Sequence, residues 1–204
     1  DFVIFRSDYI NMIEFNFIDL TTTGFQSVNI GNTSISGIEV SAAGQAKFGK
    51  FKLSHLAGYN HISPKFLEFD TSAVAYTNPT TEGQINANNS SSKENILKYR
   101  FRNTFKYDVE LSYGAFNIGS SANYFSHMEA IDAIFEGFVV PGLRDYRVDN
   151  NHGNFILNLR TGYKSKSFWT ITFLCNNIFN KAYSMRPGLM ESPRNYTIRI
   201  AVKF

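Results

Sequence analysis

The run Asn195-Tyr196-Thr197-Ile198-Arg199-Ile200-Ala201-Val202-Lys203-Phe204 decides the fold. Successive side chains of a strand point to opposite sides. Tyr196, Ile198, Ile200, Val202 and Phe204 therefore share one face, and Asn195, Thr197, Arg199, Ala201 and Lys203 the other. The same rule holds upstream. Phe101, Phe105, Tyr107, Val109, Leu111 and Tyr113 oppose Arg100, Arg102, Thr104, Lys106, Asp108, Glu110 and Ser112, with Asn103 the exception on the apolar side. Phe116, Ile118, Ala122 and Tyr124 oppose Asn117, Gly119, Ser121 and Asn123. Phe155, Leu157 and Leu159 alternate with Asn154, Asn158 and Arg160, and Trp169, Ile171, Phe173 and Cys175 with Thr170, Thr172 and Asn176. Ile38, Val40, Ala42, Ala46 and Phe48 oppose Glu39, Ser41, Gln45 and Lys47. Helical spacing finds no comparable match, so the chain reads as all-β.

Eight strands are predicted, roughly 2–18, 28–48, 51–63, 97–113, 115–126, 153–163, 168–179 and 194–204. Their connections alternate in length. Phe48-Gly49-Lys50, Tyr113-Gly114 and Lys164-Ser165-Lys166-Ser167 are tight turns, while 19–27, 64–96, 127–152 and 180–193 are long. Segment 64–96 carries Pro64, Pro79 and Gly83 among many Asn, Ser and Thr, and is a loop. Short turns at one end and long loops at the other are the habit of an outer-membrane β-barrel.

Alternation alone does not say which face is outside, because a soluble lipocalin-like barrel also has two-faced strands but hides the apolar side within. Three features favour the membrane barrel. The polar face carries Arg100, Arg102, Lys106, Arg160 and Arg199, which suit a wet lumen. Tyr99, Tyr113, Tyr163, Trp169, Tyr196 and Phe204 fall near strand ends, where an interfacial girdle belongs. Nearly every strand also supplies the ~10 tilted residues that cross the hydrocarbon layer.

Composition narrows the function classes. Against 17 acidic residues stand 20 Lys+Arg, too even a balance for obligatory nucleic-acid binding. Hydrophobic residues at 43% argue against a disordered chain. No apolar run exceeds about four residues, far short of a spanning helix. One cysteine, Cys175, excludes an intrachain disulfide and falls on the apolar face as a small filler. His55, His61, His127 and His152 lack metal-ligand spacing. His127-Met128-Glu129 and the Asp145–Gly153 run read as polar loop rather than haem, metal or calcium sites. No paired catalytic groups are legible, so no enzyme, metal or cofactor is expected. Asp1 is not an initiator methionine and no signal-like segment follows it, which favours a piece of a longer protein.

At the C-terminus the pattern becomes specific. Asn176-Asn177-Ile178-Phe179-Asn180-Lys181-Ala182-Tyr183-Ser184, then Arg186-Pro187-Gly188, then Pro193 through Phe204, resembles the end of TonB-dependent outer-membrane receptors. Ser36-Gly37-Ile38-Glu39-Val40 resembles the family's G-[IV]-E strand segment. Asp8-Tyr9-Ile10-Asn11-Met12-Ile13-Glu14 resembles its D-Y-x-D-M-I-E segment, with Asn11 where Asp often stands. The resemblance implies that residues 1–204 are about eight C-terminal strands of a 22-stranded antiparallel transmembrane barrel, with the plug domain and earlier strands outside this chain.

It also implies a Gram-negative outer membrane location and energised uptake of a large scarce nutrient: an iron-siderophore first, or haem, cobalamin or a glycan. Implied partners are outer-membrane lipid, the remaining barrel and plug, the TonB system through that plug, and a surface lipoprotein. The alternating residues Tyr196, Ile198, Ile200, Val202 and Phe204 are implied to be read by the barrel assembly machinery. The alternative is a self-contained eight-stranded outer-membrane barrel with an adhesive or structural role. Loop 64–96 carries Phe66, Phe69 and Tyr76, and loop 127–152 carries Phe135, Phe138, Arg144, Tyr146 and Arg147. Aromatic and Arg side chains favour binding surfaces, so Tyr76, Phe138, Arg144, Tyr146 and Arg186 are the ligand-contact candidates. The competing reading packs them loop against loop, with Arg186 shaping the last turn.

Overall fold

The computed structural model describes residues 1–19, 24–69, 90–92, 94–166 and 168–203, without the side chains of 16–19 and of Phe138. Tyr76 and Phe204 lie outside the described residues. Twelve strands are present among the described residues: β1 (Phe2–Tyr9), β2 (Ile13–Asp19), β3 (Gly24–Asn29), β4 (Thr33–Phe48), β5 (Phe51–Phe66), β6 (Asn103–Tyr113), β7 (Phe116–Phe125), β8 (Asn154–Lys164), β9 (Trp169–Asn176), β10 (Ser184–Arg186), β11 (Leu189–Met190) and β12 (Asn195–Val202). Eight of them form one antiparallel sheet in the order β1-β4-β5-β6-β7-β8-β9-β12, while β2-β3 and β10-β11 are separate hairpins. No helix among the described residues is long and apolar enough to cross a membrane.

Register fixes which side chains share a face. Val40 stands opposite Tyr59, Tyr59 opposite Phe105, Phe105 opposite Tyr124 and Tyr124 opposite Phe155. Eight residues further along each strand, Phe48, Phe51, Tyr113, Phe116 and Tyr163 form a second such row. Two aromatic rows about 26 Å apart along the strands, or roughly 20 Å in height after tilting, bracket an apolar band of the size a bilayer needs. Rings touch along the turn-side row, with Phe51–Tyr113 at 4.6 Å and Phe116–Tyr163 at 4.9 Å. Between the rows lie Leu53, Val109, Leu111, Ile118, Leu159, Phe173 and Ile198. Ile198 is 70% exposed and Ile118 55%, so the apolar face is the bare outer face of the sheet. Lys106, Asp108, Glu110, Arg160 and Arg199 occupy the other side. Arg160 grips Asp108 through two bonds of 2.7 and 2.8 Å and reaches Glu110 at 3.1 Å.

Four sequence expectations need correction. The strands predicted over 2–18 and 28–48 are both interrupted, because Asn11 and Gly31 adopt left-handed backbone (φ 54° and 88°). The β1–β4 ladder bends there and continues as the β2–β3 hairpin. The strand predicted over 97–113 begins only at Asn103. Residues 97–102 enter the loop layer instead, so Tyr99 belongs to no membrane girdle, and Arg100 and Arg102 line no lumen. Loop 127–152 holds a single π-helical turn, Phe135–Val139, and α1 (Leu143–Asp149); seven residues give too short a period to be seen. Strand β5 runs through Pro64, whose carbonyl turns away from β4 to accept Leu97 N at 3.1 Å. The missing N–H therefore costs no ladder bond.

The densest packing lies in the loop layer above the sheet. Ile96, Leu97, Ala130 and Ile131 are almost fully buried, and Met128, Ile131 and Leu143 form a cluster flanked by Tyr99, Phe101, Phe135, Val140 and Tyr146.

Candidate functional site

The loop layer is held by charge as well as by apolar contact. Lys98 Nζ donates to Asp132 Oδ1 at 2.6 Å, each side chain 1% exposed. The Tyr99 hydroxyl donates to the other Asp132 oxygen and accepts from the Asp132 backbone N–H. Burial and that neighbouring carboxylate push the Tyr99 phenol well above its ordinary range. Arg102 holds Glu129 with two bonds of 2.7 and 2.8 Å. Arg147 bonds Glu136 at 2.5 Å and the Met128 carbonyl at 2.8 Å. These pairs fix 98–102, 128–136 and α1 against one another.

Against this layer opens a cavity of about 530 Å³. Phe15 and Phe25 come from the β2–β3 hairpin, Tyr99 and Phe101 from the approach to β6, Met128, Asp132 and Phe135 from the β7–β8 connection, and Met185, Arg186 and Pro187 from the β10–β11 hairpin. Phe25 stacks on Phe135 at 5.3 Å. Four connections of the long-loop end thus converge on one largely aromatic pocket. Asp132 is engaged with Lys98 and Tyr99, whereas the Arg186 guanidinium has no acidic partner among the described residues and is exposed. An aromatic wall beside Arg186, a cation without an acidic partner among the described residues, suits an anion that carries aromatic rings.

The Asn177 and Asn180 motif explains how Arg186 arrives there. Both adopt left-handed backbone, with φ of 51° and 50°, a conformation Asn tolerates better than most residues. Asn177 is 3% exposed. Its carboxamide accepts from Lys181 N at 2.9 Å and donates to the carbonyls of Lys181 (2.9 Å) and Ser192 (3.3 Å). Asn180 Oδ1 accepts from Arg194 N at 2.9 Å. One side chain therefore staples both ends of the segment that carries β10–β11.

Of the three ligand-contact candidates whose side chains are described, Arg144, Tyr146 and Arg186, Arg186 is the one that lines this cavity. Tyr146 packs against the loop core and donates weakly to the Ala182 carbonyl at 3.4 Å. Together with Arg147 it lines a much smaller crevice that Arg186 also borders. Arg144 is exposed in the first turn of α1 and lines neither space. Phe138 sits in the π-helical turn, with its side chain outside the description, and Tyr76 lies outside the described residues altogether. Phe66 is buried at the end of β5 and stacks on Phe69 at 6.0 Å, and Arg147 bonds Glu136 and the Met128 carbonyl. The run at 145–153 is α1 and its exit.

His127 is half-buried. Burial first, and Arg147 second, hold its pKa below the ordinary imidazole value. Met128 belongs to the core, Glu129 to Arg102, and no cluster of three metal-ligating side chains occurs among the described residues. Sequence reasoning missed Phe15, Phe25, Tyr99, Phe101 and Met185, because their parity matched a continuing strand or their segment read as a turn. The Asn11 and Gly31 pair was the one available signal for the bend.

A family model described as "TonB dependent receptor-like, beta-barrel" matches residues 1–178. No curated protein matches the chain. Among solved structures, the ferric-catecholate import receptor Fiu from Escherichia coli K12 aligns over the whole chain at 15% identity and a TM-score of 0.62, using 25% of its own length. The ferric preacinetobactin receptor BauA from Acinetobacter baumannii aligns over the whole chain at 16% identity and a TM-score of 0.54, using 26% of its length. The chain thus spans about a quarter of either structure.

Proposed function

The chain belongs to the family of TonB-dependent receptor-like β-barrels, and from that premise we propose that it forms part of the wall and the ligand vestibule of an energised outer-membrane transporter. Members of this family are transporters, not enzymes. In this reading residues 1–204 are eight C-terminal strands of a 22-stranded barrel, with plug and TonB contacts supplied from outside them. Both edges of the sheet support it. Among the described residues β1 pairs only with β4, and β12 only with β9. A self-contained eight-stranded barrel needs those two edges joined, and hydrocarbon does not tolerate them open.

The transported ligand we propose is a ferric siderophore. The observation that carries this is the aromatic cavity with Arg186, which has no acidic partner among the described residues, since ferric catecholates are anions whose individual rings present flat, electron-rich faces. The import functions named for Fiu and BauA agree with it. Haem, cobalamin and glycans are the other outcomes of the test. Tyr196, Ile198, Ile200, Val202 and Phe204 we assign to recognition by the assembly machinery. The first four lie on the outer face of an open edge strand, which suits strand addition. A surface lipoprotein remains a proposed partner at the loop end.

The test is binding by the full-length receptor of ferric enterobactin, ferrichrome, haem, cobalamin and maltoheptaose, followed by fluorescence quenching. Ferric enterobactin should bind, and Arg186→Ala or Phe135→Ala should weaken it at least tenfold without lowering the amount of assembled receptor. Binding of only a neutral ligand, unaffected by Arg186→Ala, would refute the assignment.

A further inference from the structure

The β2–β3 and β10–β11 hairpins are the walls of the aromatic cavity that stand apart from the eight-stranded sheet; Asn177 staples the segment that carries β10–β11, whereas β2–β3 carries a buried carboxylate. The β2–β3 hairpin leaves the β1–β4 ladder at Asn11 and Gly31, two left-handed residues facing each other at its base. Across that base Met12 N donates to the Gly31 carbonyl at 2.9 Å and Ile30 N to the Met12 carbonyl at 2.8 Å. Beyond it, the Phe25–Phe135 stack and the Glu14–Arg100 pair reach the opposing loops.

The second of these is unusual. The Glu14 side chain is 10% exposed, yet among the described residues Oε1 receives only a long 3.4 Å bond from Arg100 Nη2, and the buried Oε2 has no hydrogen-bond partner. The charged groups that face it are Arg100 and Lys98 from the approach to β6 and Asp132 from the β7–β8 connection, with the neutral Tyr99 phenol beside them. Lys98 is paired with Asp132 at 2.6 Å, so among the described residues the partly exposed Arg100 is the main cation acting on Glu14, with Lys98 behind it and Asp132 opposing both. An ionised carboxylate in that place carries an unsatisfied, desolvated oxygen, and a protonated one avoids the charge penalty.

We infer that the hairpin is an acid-tightened flap over the cavity, latched through Glu14. This regulation of the same pocket rests on the ligand-vestibule reading above. Docking desolvates Glu14 and raises its pKa, with burial the largest cause and Arg100 opposing it. On an undocked hairpin the carboxyl titrates at its ordinary value near pH 4–5. The docked state therefore binds the proton more tightly. Docking strengthens as pH falls through the raised value, levels off below the ordinary one, and weakens toward neutral and alkaline pH.

The experiment measures flap position in the full-length receptor, without ligand, so a failed binding assay leaves its result standing and the reverse also holds. Spin labels at Gln26→Cys and Asp145→Cys, with Cys175→Ser and any further cysteine replaced, report the hairpin-to-α1 distance by pulsed electron resonance between about pH 8 and about pH 4. The unaltered latch should show its short-distance component growing as pH falls. Glu14→Gln should hold that component at every pH, and Arg100→Gln should move the midpoint upward because the opposing cation is gone. A distance distribution independent of pH in the unaltered latch, or a pH response surviving in Glu14→Gln, overturns the proposal.

Discussion

Replacing Phe173 with arginine tests which solvent bathes the apolar face. Phe173 stands opposite Ile198 and Thr161 and is 40% exposed. Trp169 lies four residues before it and Phe179 six residues after it. Four residues correspond to about 13 Å along the strand, or roughly 10 Å of height at a tilt near 40°. That places the side chain close to the middle of a ~25 Å apolar band. An arginine at the bilayer midplane costs about 2–4 kcal/mol, and the loss of the stack between Phe173 and Tyr196, whose centroids are 6.1 Å apart, adds a smaller amount. Urea titration of the full-length receptor in phosphatidylcholine vesicles reads that loss. The control is Thr172→Arg, one residue away on the opposite face, which should change stability by less than about 1 kcal/mol. If the Thr172 variant loses as much as the Phe173 variant, or neither loses anything, the faces have been assigned the wrong way round.

Asn177→Ala should cost about 2–3 kcal/mol locally, since three buried side-chain bonds disappear and alanine disfavours the left-handed backbone. Hydrogen exchange should speed up over residues 178–194 while β8 and β9 stay protected. Phe204→Asp should lower the amount of heat-modifiable, assembled receptor in the outer membrane well below the level reached with Thr197→Ser. Equal levels would remove Phe204 from the assembly reading.

Period two is written into every strand that has lipid on one side and a polar surface on the other. This is why β5, β7, β8, β9 and β12, and the outer face of β4 and β6, were legible with nearly their true limits. The failures share one cause. Phe15 fell inside the strand expected over 2–18 and Phe25 in the long connection expected over 19–27, and nothing in the alternation marks the change of direction at Asn11 and Gly31. Phe101 continues the parity of β6 but leaves the ladder, because Met128 pairs with it in an isolated bridge. In α1 only Leu143 is buried, too little to set a helical period. Arg186 was legible because Arg-Pro-Gly announces a projecting turn. Its companions in the cavity come from three other connections, and no local pattern links residues brought together by loop packing.

Two solvents act on this one chain, and its buried apolar residues show where each rules. Among the described residues, Phe66, Ile96, Leu97, Met128, Ala130, Ile131, Ile134 and Leu143 belong to the loop layer or its junction with the sheet, and Ile156 is the exception within β8. The strands leave their large apolar side chains bare, since packing against hydrocarbon replaces packing against protein. The loop layer sits at the wet end and must close a core of its own, as a small soluble domain does. A core that small has little apolar surface to bury. The buried Lys98–Asp132–Tyr99 network and the Arg102–Glu129 and Arg147–Glu136 pairs supply geometric definition instead. Buried ionic groups of this kind fix arrangement more surely than they add stability. A ligand vestibule of the kind proposed would need that definition, because four separate chain segments line the cavity. The two hairpin walls lie outside that network: β10–β11 is held through Asn177 instead, and β2–β3, the element proposed to move, offers the opposing loops a buried Glu14 that is half satisfied among the described residues.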